Sequence, residues 1–127
     1  MGNRILVVDD EEELVKALQI RLKASGYEVI TALDGEEALS KARRDAPNLI
    51  LLDLMLPKMN GYEVCQLLKF DQKYKHIPII MLTARTQETD KNMGKETGAD
   101  EYVTKPFEFD DLVAKIKELL EGSKEEK

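Results

Sequence analysis

A chain of 127 residues with a single Cys suits one domain with a core of its own and excludes an internal disulfide. Apolar runs such as Leu49–Leu52 fall far short of the about 20 residues a membrane-spanning helix needs, and Met-Gly-Asn-Arg leads straight into a strand-like run with no room for a signal peptide, so a soluble cytoplasmic domain is expected. With 25 acidic against 19 basic residues and a net charge of −6, the surface is a poor electrostatic match to nucleic acid, and no direct contact with it is expected.

Arg4–Val8 is a short β-branched run and reads as the first strand. Within 12–25, Leu14, Leu18 and Leu22 recur at helical spacing, and Gly26 stands where helices end on glycine. Glu28–Ala32 reads as the second strand, and Asp34 as the N-cap of a helix running to about Ala46. Leu49–Leu52 is the third and most apolar strand, ending at Asp53. Asn60 and Gly61 open a helix to about Phe70, with Val64, Cys65 and Leu68 as apolar positions. Ile77–Leu82 is the fourth strand, with Pro78 near its start. Residues 88–97 read as a weak helix with few apolar anchors, closed by Gly98. Tyr102–Thr104 is a short fifth strand. Phe109–Glu121 is the clearest helix, with Leu112, Val113, Ile116, Leu119 and Leu120 on one stripe. Residues 122–127 have no apolar anchor and are expected to fray as a flexible tail, leaving 1–121 as the domain.

Five strands alternating with five helices predict right-handed βαβ units and an α/β fold around a doubly wound parallel sheet. Ligands of such sheets bind outside the carboxyl ends of the strands. The first strand delivers Asp9 and Asp10 there, the third Asp53, the fourth Thr83 and the fifth Lys105 and Pro106; the second delivers little. Each residue also has an ordinary reading. Asp9, Asp10, Glu11 and Glu12 suit the first turn of a helix. Asp53 and Thr83 suit caps, and Lys105 suits a solvated side chain. Their arrival at one edge, each directly after an apolar run, favours a joint site. Two carboxylates about 5 Å apart repel by roughly 3 kcal/mol at an effective dielectric near 20, and a cation relieves this. Hard oxygen donors suit Mg²⁺. The single His, His76, reads as an exposed loop residue and Cys65 as a buried apolar group, which argues against zinc. Mg²⁺, a hydroxyl donor and an ammonium around a carboxylate make a phosphoryl-transfer environment, in which a carboxylate can become an acyl phosphate.

At these residues the sequence resembles the receiver domain of two-component response regulators. The resemblance spans roughly residues 3 to 121 and is carried by VVDDE, LLDLMLPKMNG, MLTAR and GADEYVTKPF in order. It implies a CheY-like, flavodoxin-like (βα)5 fold with strand order 2-1-3-4-5. It implies that Asp53 is the phosphoacceptor and that Asp10, Asp9, Asp53 and the backbone carbonyl of Met55 hold Mg²⁺. Thr83 would donate its hydroxyl to the phosphoryl group and Lys105 would pair with a phosphoryl oxygen. Pro106 is expected after a cis peptide bond. Tyr102 is expected to rotate inward with Thr83 on phosphorylation, changing the surface of the 88–97 helix, the fifth strand and the last helix. The implied donor is a histidine kinase or phosphotransfer protein, and the implied target an effector protein, a second copy or an output domain. The chain would be a signalling domain that catalyses only its own phosphorylation and dephosphorylation. Met55 and Arg85 stand where the family varies and would tune water access to the aspartyl phosphate.

OmpR-like receivers dimerise through that same surface, and Lys91–Asp111, Glu96–Lys117 and Glu101–Lys115 have the signs of their cross-subunit pairs; the same charges also read as plain solvation. A haloacid dehalogenase-type phosphatase would want a DxDx(T/V) motif after the first strand, where this chain has Asp9-Asp10-Glu11-Glu12. A flavodoxin-like or nucleotide-binding module would want a glycine-rich phosphate loop, and neither GxGxxG nor GxxxxGK[ST] occurs. A receiver serving only as a scaffold is disfavoured by the intact acidic cluster and Lys105.

Overall fold

The structure, a computed structural model, describes residues 3–84 and 98–125. Its elements in chain order are β1 (Arg4–Val8), α1 (Glu12–Ala24), β2 (Glu28–Ala32), α2 (Gly35–Asp45), β3 (Leu49–Asp53), α3 (Gly61–Lys69), β4 (Ile79–Ala84), β5 (Glu101–Lys105) and α4 (Phe109–Glu125). The five strands form one parallel sheet in the order β2-β1-β3-β4-β5. β3 is central and every residue of it is buried, which is why its sequence is apolar without alternation. The expected helix over 88–97, with Arg85, Lys91 and Glu96, lies outside the described residues.

Side chains of each strand alternate between two layers. Leu6, Val8, Ile50, Leu52, Ile79 and Met81 pack with α2 and α3 through Ala38, Val64, Cys65 and Leu68. Ile5, Val7, Leu49, Leu51, Ile80 and Leu82 pack with α1 and α4 through Leu18, Leu22, Leu112 and Ile116. Local signals set the helix ends. Gly26 (φ 95) follows α1, and the Tyr27 and Gly26 N–H groups donate to the carbonyls of Leu22 and Lys23 in a Schellman closure. Asp34 caps α2 by accepting from the Glu37 N–H at 2.8 Å. Asn60 and Glu63 form a capping box on α3.

Three boundaries differ from the sequence reading. β4 begins at Ile79 rather than Ile77 and runs to Ala84, because Pro78 has no N–H to give the ladder and contributes only its carbonyl, to the Ile50 N–H at 3.0 Å. β5 spans Glu101–Lys105, longer than Tyr102–Thr104, because its backbone stays paired from Ile80↔Glu101 to Ala84↔Lys105. α4 continues past Glu121 to Glu125, so the tail expected from residue 122 is helical as far as Glu125. Adding a residue to an existing helix costs far less than starting one, and one Gly among Lys and Glu does not stop it.

Candidate functional site

Parallel register assembles the site. Val8 lies beside Leu52 in the β1–β3 pair, so the next residues, Asp9 and Asp53, arrive side by side at the carboxyl edge. Ala84 is paired with Lys105 one strand further out. By strand alternation Asp9, Asp53 and Lys105 are in phase with the layer of α1 and α4, whereas Thr83 and Tyr102 are in phase with the layer of α2 and α3. Thr83 and Lys105 nonetheless lie at the carboxyl ends of the neighbouring strands β4 and β5.

The loop after β3 is held tight against the site. The Gly61 N–H donates to the Leu54 carbonyl at 2.9 Å, and a Cβ on Gly61 would overlap the Asp53 carbonyl oxygen. A Cβ on Gly35 would likewise overlap the Met59 carbonyl. Only glycine allows these backbones to touch. Met55 itself is 60% exposed. It borders, with Asp10, Pro57 and Tyr62, an open hollow of about 360 Å³.

One carboxylate oxygen each from Asp9, Asp10 and Asp53 lies within 4.8 Å of the others. Asp9 is fully buried, Asp53 nearly so, and Asp10 is exposed. The Lys105 ammonium is 2.7 Å from Asp9 Oδ2, 3.1 Å from Glu11 Oε1 and 3.5 Å from Asp53 Oδ1. The other Asp9 oxygen accepts the Glu11 N–H at 3.0 Å. Burial, and then the charge of Asp9, push the Asp53 carboxyl up to about 6, against the opposing pull of Lys105 and the Met55 N–H. For Lys105, burial alone works against the charged form. The bond to Asp9, the charges of Asp53 and Asp9 and the bond to Glu11 outweigh it and hold the ammonium above its usual range. Lys105 is thus secured chiefly by Asp9, and Asp53 is a buried acid whose charge is poorly compensated.

Thr83 is buried and its hydroxyl has no hydrogen-bond partner. The Tyr102 hydroxyl is also buried without one, and its ring packs in the α2–α3 layer that contains Cys65. The Lys105–Pro106 peptide is cis. The first-turn reading of the acids holds for Glu12 alone. α1 starts at Glu12, so Asp9, Asp10 and Glu11 precede the helix. Glu11 is the residue whose contact with Lys105 sequence reasoning missed; a signal was available, because Glu is not a favoured N-cap and Glu11 occupies that position. Cys65 is buried and His76 exposed, as read from the sequence.

This donor set fits a hard divalent cation: all ligand atoms are oxygens, two of the acids are buried, and the poorly compensated charge on Asp53 would be relieved by one. The orphaned Thr83 hydroxyl and the Lys105 ammonium, at the carboxyl ends of neighbouring strands, are donors of the kind an oxyanion takes.

The family described as response regulator receiver domain matches residues 5–117. The chain is 54% identical over 123 residues to the alkaline phosphatase synthesis transcriptional regulatory protein PhoP of Bacillus subtilis, covering 97% of this chain and 50% of that protein. It is 45% identical over 126 residues to the DNA-binding response regulator MtrA of Mycolicibacterium smegmatis, covering 99% and 54%. The chain therefore spans about half the length of these curated relatives. Among solved structures it is similar to a CheY-like response regulator receiver domain protein from Methanospirillum hungatei, with a TM-score of 0.93, 32% identity and full coverage of both chains.

Proposed function

Because the chain belongs to the response regulator receiver domain family, we propose that Asp53 is its phosphoacceptor and that the Asp9–Asp53–Lys105 rim is built to receive a phosphoryl group. Asp53 Oδ would attack the phosphorus of a phosphohistidine, breaking the N–P bond and forming an aspartyl phosphate, with the electron pair left on the imidazole nitrogen. Lys105 would move onto a phosphoryl oxygen, and Thr83 would donate its unpaired hydroxyl to another. Receiver domains use Mg²⁺; Asp9, Asp10, Asp53 and the Met55 carbonyl are the groups that would hold it here. Bound there, it would neutralise charge on the acids and on the transferring oxygens. Beyond this self-phosphorylation and its reversal, the chain is a signalling domain rather than an enzyme acting on a separate substrate.

The observation that carries this reading is the pairing of a buried, poorly compensated Asp53 with a Lys105 secured mainly by its neighbour. Tyr102, with its buried hydroxyl, would follow Thr83 as the switch. The surface of the 88–97 segment, β5 and α4 would then change to control a partner, a second copy or an output domain. The donor would be a histidine kinase or phosphotransfer protein in the cytoplasm. Among the described residues no helix is long and apolar enough to cross a membrane. For pairing between copies, Glu101 and Lys115 are 3.6 Å apart within one chain, so a cross-subunit pair would require this contact to open. The test is phosphate incorporation from acetyl phosphate with Mg²⁺. Wild type should incorporate it and Asp53→Asn should not, with unchanged circular dichroism; incorporation that survives in Asp53→Asn refutes the assignment.

A further inference from the structure

Glu11 occupies the N-cap position of α1, yet its side chain caps nothing. Capping favours Asp, Asn, Ser or Thr, so although the helix dipole welcomes an acid at this end, a capping hydrogen bond does not account for Glu here. Its carboxylate turns the other way and accepts a hydrogen bond from the Lys105 ammonium at 3.1 Å. The turn that aims it is fixed by Asp9, which accepts the Glu11 N–H through one oxygen and the Lys105 ammonium, at 2.7 Å, through the other. The two shorter contacts of the ammonium therefore go to the β1 side, while Asp53 stands further off at 3.5 Å. Asp9 is inaccessible, but the Glu11 side chain is 64% exposed and free to leave.

We propose that Glu11 is a positioning residue that acts through Lys105: it holds the ammonium on the β1 side while Asp53 is bare and competes with the phosphoryl group for it afterwards. This rests on the reading of Asp53 as phosphoacceptor. A phosphoryl group carries about two negative charges and outbids one exposed carboxylate. Glu11 therefore sets how readily the switch is thrown, without deciding whether it can be.

Wild type, Glu11→Gln and Glu12→Gln are titrated with beryllofluoride, an analogue of the phosphoryl group, at saturating Mg²⁺, reading tyrosine fluorescence. Glu12→Gln removes the same charge one residue along and is the control for through-space effects. Glu11→Gln is expected to lower the half-saturating concentration about threefold, the scale of one exposed ion pair. Glu12→Gln is expected to change it less. In the metal-free protein the Lys105 side-chain NMR resonance should shift in Glu11→Gln and stay in place in Glu12→Gln. Equal responses of the two variants, or an unmoved Lys105 resonance in Glu11→Gln, overturn the inference. A wild type that fails to respond to beryllofluoride overturns the phosphoacceptor reading itself, and this inference with it.

Discussion

Asp53 is a carboxyl that the fold keeps short of compensation, and this has a thermodynamic sign. Its folded value is raised to about 6 by burial and by Asp9. The folded state therefore binds the proton more tightly than the unfolded chain, and the stability from this group is fully present below about pH 4. It is lost as pH rises through about 6. Without divalent cation, Asp53→Asn should be more stable than wild type at pH 7, on the order of 2 kcal/mol in urea unfolding. The gap should close towards pH 4, and a gap that stayed constant with pH would count against the cause given. Mg²⁺ needs the ionised acid, so its affinity in wild type should fall as pH drops below about 6. Lys105 carries the complementary duty. Lys105→Ala should cut the response to acetyl phosphate sharply, and any loss of stability should be regained when Mg²⁺ relieves the unpaired Asp9.

At the scale of elements, the loop between β3 and α3 holds Asp53 in place through backbone approach and a cap. Asn60→Ala removes one half of the capping box and should cost about 1 kcal/mol, measured by thermal unfolding. Gly61→Ala should cost more, because its new methyl collides with the Asp53 carbonyl rather than with a movable side chain. The same variant should also slow phosphorylation, since relieving the clash displaces the end of β3. At the opposite end of the sheet, Lys69 is largely buried and spans α3, the turn before β4 and the segment before β5. Its ammonium lies 2.6 Å from Asp100 and donates to the Ile77 carbonyl at 2.8 Å, while Asp100 accepts the Ile79 N–H. That clamp is remote from the phosphoryl rim and explains part of the GADEY segment as architecture: Asp100 ties the start of β5 to β4.

In the whole molecule, one parallel sheet between two helical layers positions the site. β4 and β5 contribute Thr83 and Lys105 at their ends, and Tyr102 sits within β5, so in the proposed switch a change at the rim would travel along the same two strands. The fully buried centre tolerates little: Leu51→Ala should cost about 2–5 kcal/mol in urea unfolding. Much of this architecture was legible from residue order. Alternating strands and helices, the apolar centre of β3, the caps at Asp34 and Asn60 and the acids ending β1 and β3 are local patterns, and burial or hydrogen bonding within a few residues writes them into the sequence. The motif resemblance added the strand order and the roles expected of Asp53, Thr83 and Lys105, which residue order had already brought to the carboxyl edge. Partnerships between distant residues were not legible. Glu11 read as one acid among four until register and the turn at Asp9 brought it to Lys105, and the Glu101–Lys115 contact formed within one chain. Which chemical groups reach the carboxyl edge follows from residue order, because strand periodicity and chain order place them there. Which acid holds the lysine and which is left poorly compensated emerges only on folding, because burial and charge spacing depend on how separate strands line up.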